Sequence, residues 1–432
     1  MTTTKVALVG LGTVGTGVAR LLLEKGDRIA RQAGQRVELA AVVVSDPGKT
    51  RQVAVPAGLV GDQLSRITAD RDIKIVAVLV GGLEPARSIA LELLAAGKDL
   101  VTANKALLAA HGAELFDRAR ELGRSIAFEA AVAGGIPIIA NISQCLSANQ
   151  IQSIHAILNG TSNYILTQME AHGASYADAV KEAQRLGYAE ADPAMDVDGS
   201  DAAQKLAILA HLAFGARVDW TAIPRQGIDF LETADLRYAK ELGYRIKLLA
   251  VGQLTPAGLE LHVSPTLVKL ASPLAEVRGA YNAISVVGDA VGRVFFSGLG
   301  AGQMPTASAV VSDLIDTVVG RSAITFRTLK LWSDRAAAVS MRDYRDVAGR
   351  YYLRFSVEDR PSVLAEIAGM LGQQAISIAS VIQHEAEEEG RGVVPLVIMT
   401  HNTTEGAICR AVQAIDARPF MRGRSVRMRV RD

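Results

Sequence analysis

Residues 5–23 read KVALVGLGTVGTGVARLLL, and this stretch decides the fold of the N-terminal part. Lys5–Val9 is a short β-branched run that ends abruptly in glycine. Gly10-Leu11-Gly12-Thr13-Val14-Gly15 then opens an apolar helix, Val14–Leu23. A Gly-x-Gly-x-x-Gly match is a weak signal by itself, but strand before and helix after is the context it needs. The first glycine permits a tight turn, the second lets the backbone approach a pyrophosphate, and the third lets helix and strand pack closely. The helix N-terminus offers N–H groups and the positive dipole end to phosphate. Gly10, Gly12, Thr13, Val14 and Gly15 are therefore the candidate nucleotide-binding residues.

Outward from this motif the pattern repeats. Val37–Val44, Ile73–Val80, Leu100–Val101 and Ser125–Phe128 read as strands, with helical spacing in Glu84–Ala96 and Ala106–Leu122 between them. Strands alternating with helices predict a parallel, doubly wound α/β sheet over residues 1–135, a Rossmann-type domain. The second strand ends at Ser45-Asp46. An acid there suits the ribose hydroxyls of NAD, whereas Lys49 and Arg51 suit the 2′-phosphate of NADP, so both cofactors remain open. Asp46 lies 31 positions after Gly15 (46 − 15), beyond the usual spacing of about 20.

From Ile136 the pattern changes. Helical stretches (Tyr176–Leu186, Ala202–Phe214) mix with strand-like runs (Gln150–Leu158, Ile246–Leu254, Leu259–Pro265), which predicts an α+β substrate domain over 136–302. Thr306–Val319 reads as a helix, and residues 303–320 are expected to complete the first domain. Residues 321–349 lack clear periodicity and read as a linker. Residues 350–432 run βαββαβ, a ferredoxin-like order.

Composition narrows the function. A formal charge of +1 in 432 residues gives no electrostatic reason to expect nucleic acid. No run of about 18 apolar residues predicts a membrane span. Cys145 and Cys409 are the only cysteines and form no disulfide framework, which fits a reducing cytoplasm. The acidic pair Asp196/Asp198 hints at a calcium loop but lacks the acid at loop position 12. His155 and His211 sit in apolar runs and read as core histidines.

The chemistry concentrates in two places. Lys105 follows the end of a strand, where open α/β sheets bind ligands. Residues 187–201, GYAEADPAMDVDGSD, form the densest polar segment and lead into a helix that is apolar nearly all round from Leu206 to Phe214. Such a helix is buried, so Lys205 near its start, four residues after Asp201, is expected in a crevice with partners rather than in a surface pair. A cofactor cradle, lysines and carboxylates suit hydride transfer to a carbonyl, where a cation or acid meets the oxyanion and carboxylates hold a substrate ammonium.

With these residues in view, the chain resembles homoserine dehydrogenases. The resemblance rests on GLGTVG (10–15), TANKALLA (102–109), NGTSNYIL (159–166), GYAEADPAMDVDGSDAAQKLAILA (187–210) and GLGAGQMPTASAVVSDLID (298–316). It implies interconversion of L-homoserine and L-aspartate 4-semialdehyde with NAD(P), on the route to threonine and methionine. It further implies Lys205 as proton donor, Lys105 as second acid/base or positioning cation, and Glu190, Asp201, Asp196 and Tyr188 as the substrate set. Gly187 and Gly302 would lie against the cofactor. A sodium site is implied at Glu129 through its side chain and at Val132, Gly134 and Ile136 through their carbonyls. The family often carries Arg at position 45, where this chain has Ser45.

Residues 350–432 resemble an ACT domain, on Asp359-Arg360-Pro361-Ser362-Val363-Leu364 and Ile376-Ser377-Ile378. Such domains pair edge to edge and bind amino acids. The resemblance therefore implies a homodimer or homotetramer and L-threonine as effector, although Ser362 stands where the family has Gly. The arginines at 422, 424, 427, 429 and 431 read as the polar face of a last strand. Two other readings are weaker. An acylating semialdehyde dehydrogenase needs a nucleophilic cysteine, and Cys145 sits in no such motif. A non-catalytic NAD-linked sensor would not need Lys105, Glu190, Asp201 and Lys205 together.

Overall fold

The computed structural model describes residues 2–332, 339–384 and 392–431. They form two compact units, each assembled from three segments. Residues 1–152, 203–223 and 285–339 make the first; residues 153–202, 224–284 and 340–432 make the second. No helix among the described residues is long and apolar enough to cross a membrane.

The first unit holds a parallel sheet of β1 (Thr3–Val9), β2 (Arg36–Val43), β3 (Val60–Gly61), β4 (Ile73–Val78), β5 (Asp99–Thr102) and β6 (Ile126–Ala127). Its order, β3-β2-β1-β4-β5-β6, is that of a dinucleotide-binding fold, with the switch point between β1 and β4. The central strands are apolar on both faces, since Val6 and Leu8 on one face of β1 and Ala7 and Val9 on the other are all buried, as parallel sheets covered by helices require. Helices α1 (Thr13–Glu24), α2 (Gly26–Ala33), α3 (Ser65–Thr68), α4 (Ala86–Ala95) and α5 (Lys105–Glu121) cross over between strands, and the short α6 (Ile138–Ala140) follows β6.

In the second unit, β7 (Ile151–Ile157) is followed by α7 (Gly160–His172), α8 (Tyr176–Arg185) and α9 (Ala194–Val197). Helix α10 (Ser200–Phe214) begins in this unit and continues into the first. Then come α11 (Thr233–Glu241) and the long hairpin of β8 (Tyr244–Thr255) and β9 (Gly258–Lys269). Strands β10 (Tyr281–Gly288) and β11 (Gly292–Leu299) return the chain to the first unit, where α12 (Gln303–Val318) packs on α1. Gly17 is required there: a Cβ on it would lie 2.8 Å from Ala307 Cβ.

The stretch read as a linker needs correction. It contains α13 (Arg321–Leu329), and Leu331-Trp332 is anchored in the first unit. The Trp332 ring lies 4.5 Å from that of Phe116 and stacks on His211 at 4.4 Å. Only Phe326 of α13 is buried, so the helix carries too thin an apolar stripe to announce itself in the sequence. Further on, Leu259 bridges to Met341, so this part of the stretch also adheres to β9.

The C-terminal module comprises β12 (Ala348–Glu358), α14 (Val363–Gln373), β13 (Ile378–Gln383), β14 (Val393–Thr400), the two-residue β15 (Thr403–Thr404), α15 (Glu405–Asp416) and β16 (Val426–Arg431). Alternation along β12 sends Tyr351, Leu353, Phe355 and Val357 into a core with Ile367, Leu371, Ile408 and Ile415 of the two helices. The module belongs to the second compact unit. Strand β16 pairs in parallel with β9, Arg429 opposite Thr266, giving β7-β8-β9-β16-β12-β14-β13 in one sheet. An exposed strand edge is satisfied by pairing, and here β9 supplies the partner. The other face of β12 is locked to α11. Arg354 donates to both oxygens of Asp235 at 2.7 and 3.0 Å, Tyr352 Oη donates at 3.0 Å, and Asp235 is fully buried.

Candidate active site

The glycine turn does what its spacing predicts. Gly10 sits at φ +101°, and a Cβ there would lie 2.9 Å from the Leu79 carbonyl. A Cβ on Gly15 would lie 2.2 Å from Gly10 O, so only glycine allows α1 to start so close to β1. Around Gly12 nothing lies within 4 Å of a Cβ position, which leaves the approach to its backbone clear. No side chain caps α1, so its first N–H groups are available to a ligand. These residues open onto a cleft of about 690 Å³ that includes Gly10, Gly12 and Thr13. Val14 departs from expectation: its side chain packs on the core outside the cleft lining, so only its backbone could serve. The far wall carries Ser45, Lys49 and Arg51. Arg51 is braced by the carbonyls of Asp46 and Lys49 at 2.5 and 2.6 Å, while the Asp46 carboxylate turns back to accept from Gly48 N at 2.9 Å. The cleft thus fits a dinucleotide, with a cationic end. Gly302, at φ +124°, precedes α12, whose Gln303 lines the same cleft.

Lys105 is the first residue of α5, half-buried at the end of β5. The turn before it is held by Asn104 and by Thr102 at the end of β5. Asn104 caps α5 by accepting from Leu107 N at 3.0 Å and donates through Nδ2 to Val80 and Gly82 carbonyls at 3.0 and 2.6 Å. Thr102 Oγ1 donates to Val78 O at 3.1 Å and accepts from Asn104 N.

In the second unit the polar segment folds around a residue the sequence reading missed. Asn159 lies two residues beyond β7, and its Nδ2 donates to Asp196 Oδ1 at 2.7 Å and to Asp201 Oδ2 at 2.8 Å. Its Oδ1 caps α7, accepting from Ser162 N at 2.8 Å, and Ser162 Oγ donates to the Asp196 carbonyl at 2.6 Å. Asn159 and Asp201 are both 5% exposed, and Asp196 is half-buried. A helix-capping asparagine looks ordinary in a sequence; only its aspartate partners distinguish it. Asp198 accepts from Ser200 N and Oγ at 2.7 and 2.9 Å and thereby starts α10. Lys205, half-buried, follows Asp201 by one turn on that helix.

The remaining predicted residues are looser. Tyr188 is 47% exposed, its ring 4.8 Å from that of Tyr164, and its carbonyl accepts from Thr161 Oγ1 at 2.6 Å. Gly187, at φ +75°, ends α8. Glu190 is exposed, and among the described residues no hydrogen bond joins its carboxylate to Asp196 or Asp201.

The residues expected to hold sodium lie in the loop that follows β6. Both carboxylate oxygens of Glu129 accept backbone N–H groups, from Ile139 at 2.9 Å and Ala140 at 2.8 Å. The side chain thereby caps the α6 turn. The Ile136 carbonyl already accepts from Ile138 N at 2.8 Å. Val132 and Gly134 lie in the same loop, where a Cβ on Gly134 would lie 2.5 Å from Gly300 O. No group of three or more His, Cys, Asp or Glu suited to a metal occurs among the described residues. Burial pushes the Glu129 carboxyl up to about 7, against the two N–H bonds that favour its ionised form. Asp313, which accepts from Glu129 N at 2.8 Å, is pushed well above the usual range by burial and by the Glu129 charge.

Comparisons with known proteins agree along the chain. The family model for the homoserine dehydrogenase catalytic domain matches residues 137–315, that for the homoserine dehydrogenase NAD-binding domain matches 10–129, and that for the ACT domain matches 351–418. The homoserine dehydrogenase of Pseudomonas aeruginosa is 43% identical over 430 residues, covering 99% of this chain and 98% of its own. That of Corynebacterium glutamicum is 41% identical over 428 residues, covering 96% and 93%. The crystal structure of a homoserine dehydrogenase from Thiobacillus denitrificans superposes with a TM-score of 0.93 at 41% identity, covering 100% and 99%. A hyperthermophilic archaeal homoserine dehydrogenase in complex with NADPH matches with a TM-score of 0.59 at 26% identity, over 73% of this chain and 97% of its own.

Proposed function

The chain belongs to the homoserine dehydrogenase family and is an NAD(P)-dependent oxidoreductase, and on that premise we propose that it interconverts L-homoserine and L-aspartate 4-semialdehyde with NADP preferred. The observation that carries the reading is the Asn159–Asp196–Asp201 cluster, with Lys205 one turn further along the helix that bears Asp201. Asp201, oriented by Asn159, and Glu190 hold the substrate ammonium, while Asp196 and Tyr188 shape the pocket beside them. Lys205 gives its proton to the aldehyde oxygen as negative charge grows there, and takes it back from the hydroxyl in the reverse direction. Lys105, fixed by Asn104 and Thr102, supplies a second positive charge at the end of β5. The nicotinamide group, when bound, supplies or accepts the hydride; Gly10, Gly12, Thr13, Val14, Gly15, Gly187 and Gly302 shape its berth.

Preference for NADP is supported by Lys49 and Arg51 on the cleft wall and by the turned-back Asp46. An archaeal relative is solved with NADPH. The substrate pair places the activity in threonine and methionine biosynthesis, in the cytoplasm. The C-terminal module supports feedback by an amino acid, L-threonine first among candidates, in a homodimer or homotetramer paired through that module. The sodium expectation stays outside the mechanism because Glu129 is engaged as a cap.

The test is homoserine oxidation followed at the absorbance band of the reduced nicotinamide, with NAD or NADP, and with Lys205→Ala. Loss of the proton donor should lower kcat by roughly 10²–10⁴-fold and leave NADP affinity unchanged. Wild-type rates in Lys205→Ala would remove lysine from that role.

A further inference from the structure

A cavity of about 680 Å³ lies within the second unit, between the C-terminal module and residues 226–232. That size is within the range of small-molecule sites, roughly 300–1,000 Å³. One wall is the outer face of α15. Cys409, Val412, Gln413 and Asp416 recur at helical spacing there, while Ala407, Ile408, Ala411 and Ile415 turn into the module's core. Arg424 extends this wall, exposed and without an ion pair among the described residues. The opposite wall carries Gln226, the exposed Asp229, Phe230 and Glu232. The lining therefore joins Arg424 to three carboxylates: Asp229, Glu232, which is paired with Arg354, and Asp416, which accepts from Ser425; Arg427, also in the lining, is paired with Glu405. That pattern suits a small zwitterion, whose carboxylate meets Arg424 and whose ammonium meets Asp229.

The loop wall is also bolted to the acidic segment. Ile228 N donates to the Val197 carbonyl at 2.9 Å, and Gln226 N donates to Val263 O on β9 at 2.9 Å. Gly227 is glycine for a steric reason: a Cβ there would lie 2.4 Å from Val197 O and 2.8 Å from Asp198 Cα. Val197 and Asp198 directly follow Asp196, which Asn159 holds beside Asp201. Anything that shifts residues 226–229 must therefore shift the peptide next to Asp196.

We propose that this cavity binds a free α-amino acid and that its occupant changes substrate affinity through the Gln226–Ile228 strap. The site is separate from the Asp359–Ser362 turn, where the resemblance to ACT domains places an effector. The coupling rests on the reading of Asp196 and Asp201 as substrate-site residues; the binding does not.

Cys409 provides a direct probe. It is exposed and lines the cavity, and Cys145 is the only other thiol. Full-length Cys145→Ser protein is alkylated with N-ethylmaleimide in the presence of each of the twenty proteinogenic L-amino acids, and the rate is read by intact mass. At ten times its Kd a bound amino acid should slow alkylation about tenfold, because the free fraction falls as 1/(1 + [L]/Kd). The same amino acid should change KM for homoserine by at least about fivefold, the low end of allosteric couplings. Arg424→Ala and Asp229→Asn should each abolish both effects and retain the basal kcat. The proposal falls if no amino acid protects Cys409, if protection survives both substitutions, or if protection occurs without a change in KM. Inhibition that leaves Cys409 unprotected and is lost on changing Asp359 would overturn this site while upholding regulation at the turn. No homoserine turnover under any condition would instead refute the catalytic reading, with Cys409 protection still reporting on binding.

Discussion

Replacing Glu129 with Gln separates a buried cap from a cation ligand. The wild-type carboxyl is 6% exposed and titrates at about 7 instead of 4.5. Its folded value is raised, so its stabilising contribution is complete below 4.5 and is lost as pH rises through 7. Above that the native state bears the full cost of a buried charge. The shift of 2.5 units (7 − 4.5), at about 1.4 kcal/mol per unit, makes this roughly 3 kcal/mol. Glutamine carries no charge but presents one acceptor where Ile139 N and Ala140 N both need one. Orphaning one of those donors costs about 1–3 kcal/mol at every pH. The variant should therefore be less stable than wild type near pH 5 and gain roughly 2–3 kcal/mol relative to it by pH 8. Relief of Asp313, whose ionisation the Glu129 charge opposes, acts in the same direction. Both tryptophans, Trp220 and Trp332, lie in the first unit, so urea unfolding followed by their fluorescence reads the unit that holds Glu129. Sodium chloride and choline chloride at equal ionic strength should give the same pH 8 stability. Parallel pH profiles for the two proteins would refute the buried-charge argument, and sodium-specific stabilisation lost in the variant would reinstate Glu129 as a cation ligand.

Arg51→Ala removes a charge-assisted bond worth about 1.5–3 kcal/mol, so NADP affinity should fall roughly 10–150-fold. NAD affinity should stay within about twofold in the same fluorescence titration; an equal loss for both would mean that Arg51 only braces the Asp46–Lys49 loop. Asp235→Asn leaves the buried Arg354 with only the exposed Glu232, 3.3 Å away, as counter-charge and should destabilise the second unit by up to about 3–5 kcal/mol in thermal unfolding. An Asp235→Leu/Arg354→Met double change should recover most of that loss, and failure to recover would point to the Tyr352 bond as the larger contribution. Ser362 precedes α14 at φ +78° without a side-chain capping bond, a left-handed conformation that costs a non-glycine residue about 1 kcal/mol, so Ser362→Gly should stabilise by up to that amount. An unchanged or lower unfolding midpoint would show that the serine side chain compensates for its backbone.

The fold was legible where its determinants are local. Strand, glycine turn and helix lie within residues 3–24, and each constrains the next, so the nucleotide cradle could be read from spacing alone. The C-terminal module was legible for the same reason: apart from the two-residue β15, its six elements follow the βαββαβ order. What escaped is what depends on distant partners. Strand β16 reads as a closing strand of its own module, yet its free edge takes β9, more than 150 residues earlier (429 against 266), which merges two predicted domains into one sheet.

Charge shows the same limit more sharply. Alternation predicts that the arginines of β16 form the polar face of a last strand. Arg429 is instead 8% exposed, ion-paired with Glu405 and placed over the Tyr344 and Tyr351 rings. A buried cation needs a counter-charge, and nothing in β16 says that α15 supplies it. The active-site carboxylates follow suit. Their density marked residues 187–201 as functional, but density does not say which of them is oriented. Asn159, 37 and 42 residues upstream, selects Asp196 and Asp201, while Glu190 stays outside its hydrogen-bond network. Composition thus located the chemistry, and the asparagine that assigns roles to the carboxylates emerged only when β7 brought its end against the start of α10.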